Sequence, residues 1–190
     1  ILISQGDYPL KGFHYLLQGM QEILQNWPEA KIKVAGISVL GVNGIKSRIK
    51  ITAYGKYLRR LILKNRLEGK VRVLGNLSAE EMKREYLSAQ IFVCPSAVEN
   101  SPNSVAEGQL LGVPVAASRT GGIPDVVKDG VSGLLFEKGN IHELAACVSR
   151  ILTDKQLAKE LSASERETAA KLYNGENNYQ KLIEIYQSIE

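Results

Sequence analysis

The sequence predicts an α/β domain in which a parallel sheet carries helices on both faces. Short apolar runs of about four or five residues alternate with helical patterns of about ten to fifteen, and this alternation is typical of βαβ units around a parallel sheet. The length of 190 residues suits one such domain with a sizeable core and is small for two. With 44% hydrophobic and 23% charged residues, the composition excludes disordered, collagen-like and coiled-coil classes. We therefore expect residues 1–190 to form a single domain.

The first half of the chain alternates predicted strands and helices. Apolar side chains recur every three or four positions in residues 13–26 and predict a helix that ends before Pro28. Residues 36–54 lose this periodicity and contain several glycines, which predicts an irregular segment. Ser78 and Glu81 have the spacing of a capping box and predict the start of a further helix. Strands are predicted at residues 1–4, 32–35 and 71–74, and a helix at residues 56–65.

The second half continues the alternation and ends in helices. Pro95 terminates the apolar run of residues 91–94, and the helix that follows the next loop is predicted to end at Leu111. Asn140 with Glu143 predicts the cap of a helix over residues 141–153. The remaining strands are predicted at residues 113–117 and 133–136, and two amphipathic helices at residues 154–172 and 177–189.

The first residues and the hydropathy of the chain predict the cellular location of the protein. No apolar run reaches the roughly 18 residues that a membrane-spanning helix needs, and the first residues lack the pattern of a signal peptide. The sequence starts with Ile1 rather than Met, inside an apolar run. We expect a cytoplasmic domain excised from a longer protein.

The basic residues are concentrated in one segment. Residues 31–72 contain 12 basic residues and one acid, Glu68, whereas the rest of the chain contains 12 basic and 19 acidic residues. One interpretation is a solvated face of an amphipathic helix. The other is a patch for anionic lipid headgroups or another polyanion, which would place the protein at the inner face of the membrane. We expect no nucleic acid partner.

In a doubly wound sheet, ligands bind beyond the carboxyl ends of the strands. The loop after Cys94 contains Glu99 and Glu107, and a helix is predicted to begin near Asn103 and Ser104. Free backbone N–H groups at such a helix start can bind phosphate, and a carboxylate on either side can accept hydrogen bonds from sugar hydroxyls. Two glutamates at this spacing are weak evidence alone, but the strand, turn and helix around them place both at a strand-to-helix crossover.

These residues resemble one family over nearly the whole chain. The segment around Glu99-x7-Glu107 resembles the C-terminal, donor-binding domain of GT-B-fold glycosyltransferases, in glycosyltransferase family 4. The resemblance implies a Rossmann-like sheet. The other matching segments are residues 71–75, 89–96, 112–118, 121–125 and 130–135.

The resemblance also implies roles for single residues. Glu99 would face the donor sugar, Glu107 would bind the ribose of a nucleotide-diphospho-sugar, and Lys11 would bind its diphosphate. Lys11 and Glu99 are thereby the catalytic candidates, since an ammonium group can neutralise the charge that develops on a departing nucleoside diphosphate. The further donor-binding candidates are Gly6, Gly75, Asn76, Ser96, Pro102, Asn103, Ser104 and Val105.

The resemblance implies sugar transfer with retention of anomeric configuration and without a metal or another cofactor. The acceptor would be held by an N-terminal domain absent from this chain. The sequence contains no Asp-x-Asp element, which a metal-dependent transferase would be expected to show. The base, the sugar and the acceptor cannot be deduced from these residues.

The chain departs from the family at its first loop. The family has an Arg directly after the glycine of this loop, whereas here Asp7 follows Gly6. A carboxylate would repel a diphosphate, so we expect Asp7 to point away or another basic residue to compensate. Two other functions stay open: a GT-B-fold sugar-nucleotide epimerase or phosphorylase, and a non-catalytic module that binds a polyanion or a membrane.

Overall fold

The computed structural model describes residues 1–36 and 52–189 and confirms the predicted fold class. All six strands run parallel. They are β1 (Leu2–Ile3), β2 (Ile32–Ala35), β3 (Val71–Gly75), β4 (Phe92–Cys94), β5 (Val115–Arg119) and β6 (Leu134–Glu137). Their order in the sheet is β3-β2-β1-β4-β5-β6.

The helices connect successive strands and then cover the end of the domain. A short 3-10 turn, Pro9–Lys11, precedes the first of them. They are α1 (Phe13–Asn26), α2 (Ala53–Lys64), α3 (Ala79–Leu87), α4 (Asn103–Leu111), α5 (Ile123–Val126), α6 (Ile141–Thr153), α7 (Lys155–Leu172) and α8 (Gly175–Gln187). Among these helices, none is long and apolar enough to cross a membrane.

Alternating side chains place one core on each face of the sheet. Ile3 belongs to a cluster with side chains of α1, α2 and α6. Leu2, the preceding residue, points to the other face and belongs to a cluster with side chains of α3, α4 and α5. Both residues are at most 1% exposed, because a strand covered on both faces must be apolar at every position. The helices therefore lie on both faces, as the sequence predicts.

Most predicted helix starts are correct, and capping explains why α2 and α8 begin earlier than predicted. The capping box of Ser78 and Glu81 is present, and Asn140 caps α6 through the Glu143 amide. Helix α2 begins three residues earlier than predicted, because the Thr52 side chain accepts a hydrogen bond of 3.0 Å from the Gly55 amide. Likewise, Asn174 caps α8, which begins at Gly175 rather than at residue 177. The predicted irregular segment lies mostly outside the described residues.

Strand β5 was predicted two residues too early. The Val113 amide donates to the carbonyl of Gly108 at 2.9 Å, so Val113 still belongs to the turn that ends α4. Pro114 has no N–H group to donate to the ladder, although its carbonyl accepts a bond of 2.9 Å from Phe92. The strand therefore begins at Val115. The short helix α5 was not predicted, and it starts with a proline in its first turn.

The order of the strands creates a crevice beside β1. Successive connections run from β1 through β2 to β3 on one side, and from β4 through β5 to β6 on the other. Successive strands are thus added toward one edge of the sheet from β1 and toward the other edge from β4. A crevice opens between β1 and β4 at the carboxyl ends of the strands. The loop after β1 and the start of α4 flank this switch point.

Candidate functional site

A cleft of about 430 Å³ lies at the carboxyl ends of β1, β2 and β3 and continues along α4. It brings together four of the predicted donor-binding residues: Asn76 after β3, and Asn103, Ser104 and Glu107 on α4. Asn76, Asn103 and Glu107 are exposed, so their polar groups can contact a ligand. The other lining residues are Ser4, Gln5, Ala35, Gly36, Leu77 and Met82.

The start of α4 is more internally bonded than the sequence predicts. Pro102 adopts φ −80° and ψ 77°, close to an inverse γ-turn, and the Asn103 amide donates to the carbonyl of Ser101 at 3.0 Å. The Val105 amide donates to the carbonyl of Pro102 at 2.9 Å. The expectation of a set of unbonded N–H groups is therefore wrong for these two amides.

The buried Tyr86 side chain stabilises the first turn of α4. Its hydroxyl donates a hydrogen bond of 2.7 Å to the carbonyl of Ser104. Burial, together with the negative charge of Glu107, raises the pKa of the Tyr86 phenol above its usual range. The phenol therefore stays neutral and keeps its proton for this bond. Tyr86 and Glu107 also line an apolar groove of about 470 Å³ between α3 and α4, which shares Leu77 and Met82 with the cleft.

The two predicted catalytic residues form an ion pair with each other. The Lys11 ammonium lies 2.8 Å and 3.0 Å from the two carboxylate oxygens of Glu99. The Glu99 side chain is 8% exposed and that of Lys11 is 28% exposed, so the pair is largely shielded from water. A carboxylate in this environment depends on its cation, because a buried unpaired charge is costly.

Close backbone contacts hold the loops of this ion pair together. The Ala97 amide donates to the carbonyl of Leu10 at 2.7 Å. Gly12 has φ +75°, and a Cβ atom there would collide with the carbonyl oxygen of Pro95. Only glycine permits this approach, which sets the loop of Lys11 against the loop that leads to Glu99.

The remaining predicted site residues do not line the cleft. Ser96 is buried, and its carbonyl accepts a hydrogen bond of 2.6 Å from the Ser118 hydroxyl. Gly6, Pro102 and Val105 are also buried. Gly75, with φ +77°, accepts a hydrogen bond of 2.9 Å from the Gly36 amide. These five residues shape the loops around the cleft, and their role toward a donor stays a prediction.

Sequence reasoning missed several lining residues, of which Gln5 is the most informative. Gln5 has φ +52°, a left-handed conformation that is uncommon for residues other than glycine. Its place directly after β1, at the edge where ligands bind, is the signal that could have identified it. Its backbone conformation could not have been predicted, because Gln is not a residue type enriched there.

The described residues hold no group of three His, Cys, Asp or Glu side chains arranged for a metal ion. Metal-independent transfer stays a prediction.

Two curated relatives match the chain over nearly its whole length. A D-inositol 3-phosphate glycosyltransferase of Corynebacterium urealyticum is 29% identical over 180 residues, which are 95% of this chain and 41% of that protein. The putative glycosyltransferase YtcC of Bacillus subtilis is 28% identical over an alignment of 192 positions, which covers 100% of this chain and 45% of that protein. The chain thus spans less than half the length of these relatives.

Solved structures share the fold. Anabaena Alr3699/HepE in complex with UDP has a TM-score of 0.82 at 23% identity, over 98% of this chain and 48% of that one. The C-terminal domain of a glycosyl transferase group 1 family protein (LpcC) from Francisella tularensis has a TM-score of 0.75 at 18% identity, over 90% of this chain and 85% of that one.

A family model covers most of the chain. The model described as "Glycosyl transferases group 1" matches residues 1–168. This match extends from β1 into α7 and includes every residue that lines the cleft. The chain therefore belongs to the family of glycosyl transferases group 1.

Proposed function

We propose that this chain is the donor-binding domain of a retaining, metal-independent glycosyltransferase of family 4 that acts in glycan or polysaccharide synthesis. The observation that carries the proposal is the cleft at the β1–β4 switch point, where Asn103, Ser104 and Glu107 of α4 face Asn76 across the carboxyl ends of the strands. Nucleotides bind at such crevices in open α/β sheets. The named activities of the relatives and the UDP bound by Alr3699/HepE support a nucleotide-sugar donor.

In this proposal, different polar groups of the cleft bind different parts of the donor. The exposed carboxylate of Glu107 accepts hydrogen bonds from the ribose hydroxyls. The start of α4 receives the diphosphate, since the positive end of the helix dipole and the side-chain donors of Asn103 and Ser104 favour an anion there. Asn76, after β3, lies against the base.

The ion pair of Lys11 and Glu99 would act on the reacting sugar and the leaving group. Lys11 neutralises the charge that develops on the departing nucleoside diphosphate, and such electrostatic stabilisation is usually the largest catalytic contribution. Glu99 accepts a hydrogen bond from a hydroxyl of the donor sugar. Both carboxylate oxygens of Glu99 contact Lys11 in the structure, and each keeps a further acceptor site for the sugar hydroxyl.

The acceptor would be bound by the part of the relatives that this chain does not span. The chain covers 41% and 45% of the two curated relatives, and a second domain of similar size would form the other wall of the cleft. We propose that this N-terminal domain binds the acceptor. Residues 1–190 alone are then expected to bind a nucleoside diphosphate and to transfer no sugar.

Isothermal calorimetry of residues 1–190 with UDP, GDP and ADP, and with the corresponding nucleotide-glucose compounds, tests the donor-binding function. Binding of at least one nucleoside diphosphate is expected. If none binds, the proposal is wrong.

In a full-length enzyme, Glu99→Ala is expected to preserve binding of the diphosphate and to abolish transfer, and retained transfer would contradict the role of Glu99. Detection of an epimerised nucleotide-sugar would instead support the alternative within the same fold.

A second proposal concerns helix α2, which we infer to contact an anionic membrane on its cytoplasmic side. Lys56, Arg59, Arg60 and Lys64 lie on this helix, and none of them pairs with a carboxylate among the described residues. The apolar residue Leu63 is 62% exposed on the same helix. Exposed apolar groups among unpaired cations favour an interfacial location. The basic residues Lys46, Arg48 and Lys50 lie outside the described residues.

Co-sedimentation with vesicles tests this second proposal. Vesicles with anionic lipid are expected to recover more protein than neutral vesicles at low salt, since each basic residue near the surface contributes about 1 kcal/mol. The variant with Arg59, Arg60 and Lys64 replaced by Gln is expected to lose the difference. Equal recovery by both kinds of vesicle would identify this helix face as merely solvated.

A further inference from the structure

Gln5 combines a strained backbone with an accessible side chain at the switch point. Its φ of +52° is one of two positive values among the non-glycine residues that the structure describes, the other belonging to Arg66. Such a conformation is energetically unfavourable for a residue that is not glycine. Glycine would form the same turn without this cost. Since strained residues other than glycine cluster at ligand-binding sites, Gln5 is a candidate for a ligand contact through its side chain.

The fold enforces the turn on Gln5. Gly36, which has φ +114°, lies against it, because a Cβ atom on Gly36 would lie 3.2 Å from the Cα of Gln5. The carbonyl of Gln5 also accepts a hydrogen bond of 3.3 Å from the Tyr8 amide. Despite this constraint on its backbone, Gln5 is exposed, lines the cleft, and makes no side-chain hydrogen bond to another described residue. Its amide is available for a ligand.

The charges around the cleft define what this amide would bind. Among the described residues that line the cleft, the only charged side chain is the carboxylate of Glu107. The nearby carboxylate of Asp7 lies against Gly36, and Lys11 is engaged with Glu99. Among the described residues that line the cleft, a diphosphate at the start of α4 would therefore meet only neutral donors, in addition to the Lys11 ammonium outside this lining. Gln5 follows β1 and Asn103 and Ser104 follow β4, so the amide of Gln5 lies on the opposite side of the same switch point.

We propose that Gln5 is a donor-binding residue whose side-chain N–H group donates a hydrogen bond to a phosphate oxygen of the nucleoside diphosphate. This proposal rests on the proposed donor-binding function. It assigns to a neutral amide the phosphate contact for which the first loop of this chain offers no arginine. It also explains why a residue unsuited to the left-handed conformation occupies the turn.

The variant Gln5→Gly removes the amide and relieves the strain together, and two measurements separate these contributions: the melting temperature reports the strain, and the diphosphate affinity reports the amide. We expect the melting temperature to rise by about 2 °C and the affinity of residues 1–190 for the tightest of UDP, GDP and ADP to fall about tenfold. The affinity for the corresponding nucleoside, which lacks phosphate, is expected to stay within about twofold. The second variant, Gln5→Glu, keeps the side-chain length and the backbone but replaces the donor by an anion, so we expect a larger loss for the diphosphate alone.

Arg66→Gly is the matched control. It relieves the other positive φ of the described residues, at the turn between α2 and β3 and therefore at the opposite end of the sheet. It is expected to raise the melting temperature by a similar amount and to leave nucleotide affinity unchanged. If Gln5→Gly binds the diphosphate as tightly as the unsubstituted chain, or loses diphosphate and nucleoside affinity equally, the role of Gln5 is wrong while the proposed function stands. Failure of the unsubstituted chain to bind any of these diphosphates would overturn both.

Discussion

The two ends of helix α4 use polar groups in opposite ways. At its start, Asn103 and Ser104 line the cleft and Glu107 follows one turn later, all on the accessible side of the helix. At its end, α7 covers the turn that leads to β5: the Ser162 hydroxyl donates to the carbonyl of Gly112 at 2.7 Å, and the Arg166 guanidinium donates to the carbonyl of Leu111 at 3.0 Å. One end is therefore available for a ligand, while the other is fixed by the fold.

Two glutamates show the same contrast. Glu107 is exposed in the cleft, whereas Glu165 on α7 is 0% exposed, and its Oε1 accepts a hydrogen bond of 2.9 Å from the Val115 amide. Its Oε2 atom has no hydrogen-bond partner among residues 1–36 and 52–189. Burial raises the pKa of Glu165 to about 8, and the bond from Val115 only partly opposes this shift. The comparison teaches that burial, and not residue type, separates an accessible carboxylate from a structural one.

The largest expected effect is a pH-dependent loss of stability caused by Glu165. Its folded pKa of about 8 lies above the value of about 4.3 for an exposed Glu in the unfolded chain. Between these values the unfolded state has released a proton that the folded state keeps, so stability falls as the pH rises, by up to about 1.4 kcal/mol per pH unit. The full stability is present below about pH 4, and the loss is complete above about pH 8.

Glu165→Gln is expected to flatten this slope, because Gln keeps an oxygen for the Val115 amide and does not ionise. Urea denaturation between pH 5 and pH 8.5 measures the difference. Glu160→Gln, at an exposed position of the same helix, is the control and should leave the slope unchanged. Parallel pH profiles of the unsubstituted chain and Glu165→Gln would show that the buried carboxyl does not control stability.

The next largest effect is expected from Glu107→Ala, near the accessible start of α4. Glu107→Ala should weaken binding of a nucleoside diphosphate by about 1 to 3 kcal/mol, because it leaves ribose hydroxyls without their acceptor. The stability of the chain should change little, since Glu107 is exposed. Calorimetry measures the affinity, with Glu160→Ala as the control. An unchanged affinity would remove Glu107 from the site and would weaken the contrast between the two ends.

A smaller effect is expected from Tyr86→Phe, which deletes the hydrogen bond to the carbonyl of Ser104 beneath the start of α4. The predicted loss of unfolding free energy is about 1 kcal/mol. Nucleotide affinity should fall as well if the bond fixes the first turn of the helix. Tyr179→Phe, on the exposed face of α8, should change neither quantity. Full stability of Tyr86→Phe would mean that packing alone holds this turn.

The smallest effect is expected from Ser162→Ala, at the end of α4 that α7 covers. It removes one hydrogen bond to Gly112 from a half-buried hydroxyl and should cost about 0.5 to 1 kcal/mol of stability. Because this end of α4 lies outside the cleft, nucleotide affinity is expected to stay the same. A loss of affinity comparable to that of Tyr86→Phe would show that the two ends of the helix are coupled.

Local patterns in the sequence were sufficient for most of the fold. The apolar periodicity of residues 13–26 predicted α1 with its observed bounds, and Ser78 with Glu81 predicted the start of α3. These features depend on neighbours within four positions, so the chain alone contains the information. The boundary errors at α2 and α8 arose where the caps Thr52 and Asn174 were present in the sequence but were not used.

The sequence by itself also determined that Asn76, Asn103, Ser104 and Glu107 lie at the carboxyl edge, because each follows a strand of a parallel sheet. Only the tertiary structure decided which of them share a cleft, that Lys11 pairs with Glu99, and that Gln5 adopts a left-handed turn. It alone decided that Glu165 is buried and that one of its oxygens has no partner in the part of the chain that the structure describes. These features depend on contacts between residues as many as 88 positions apart, and neither residue type nor local periodicity encodes which distant groups will meet.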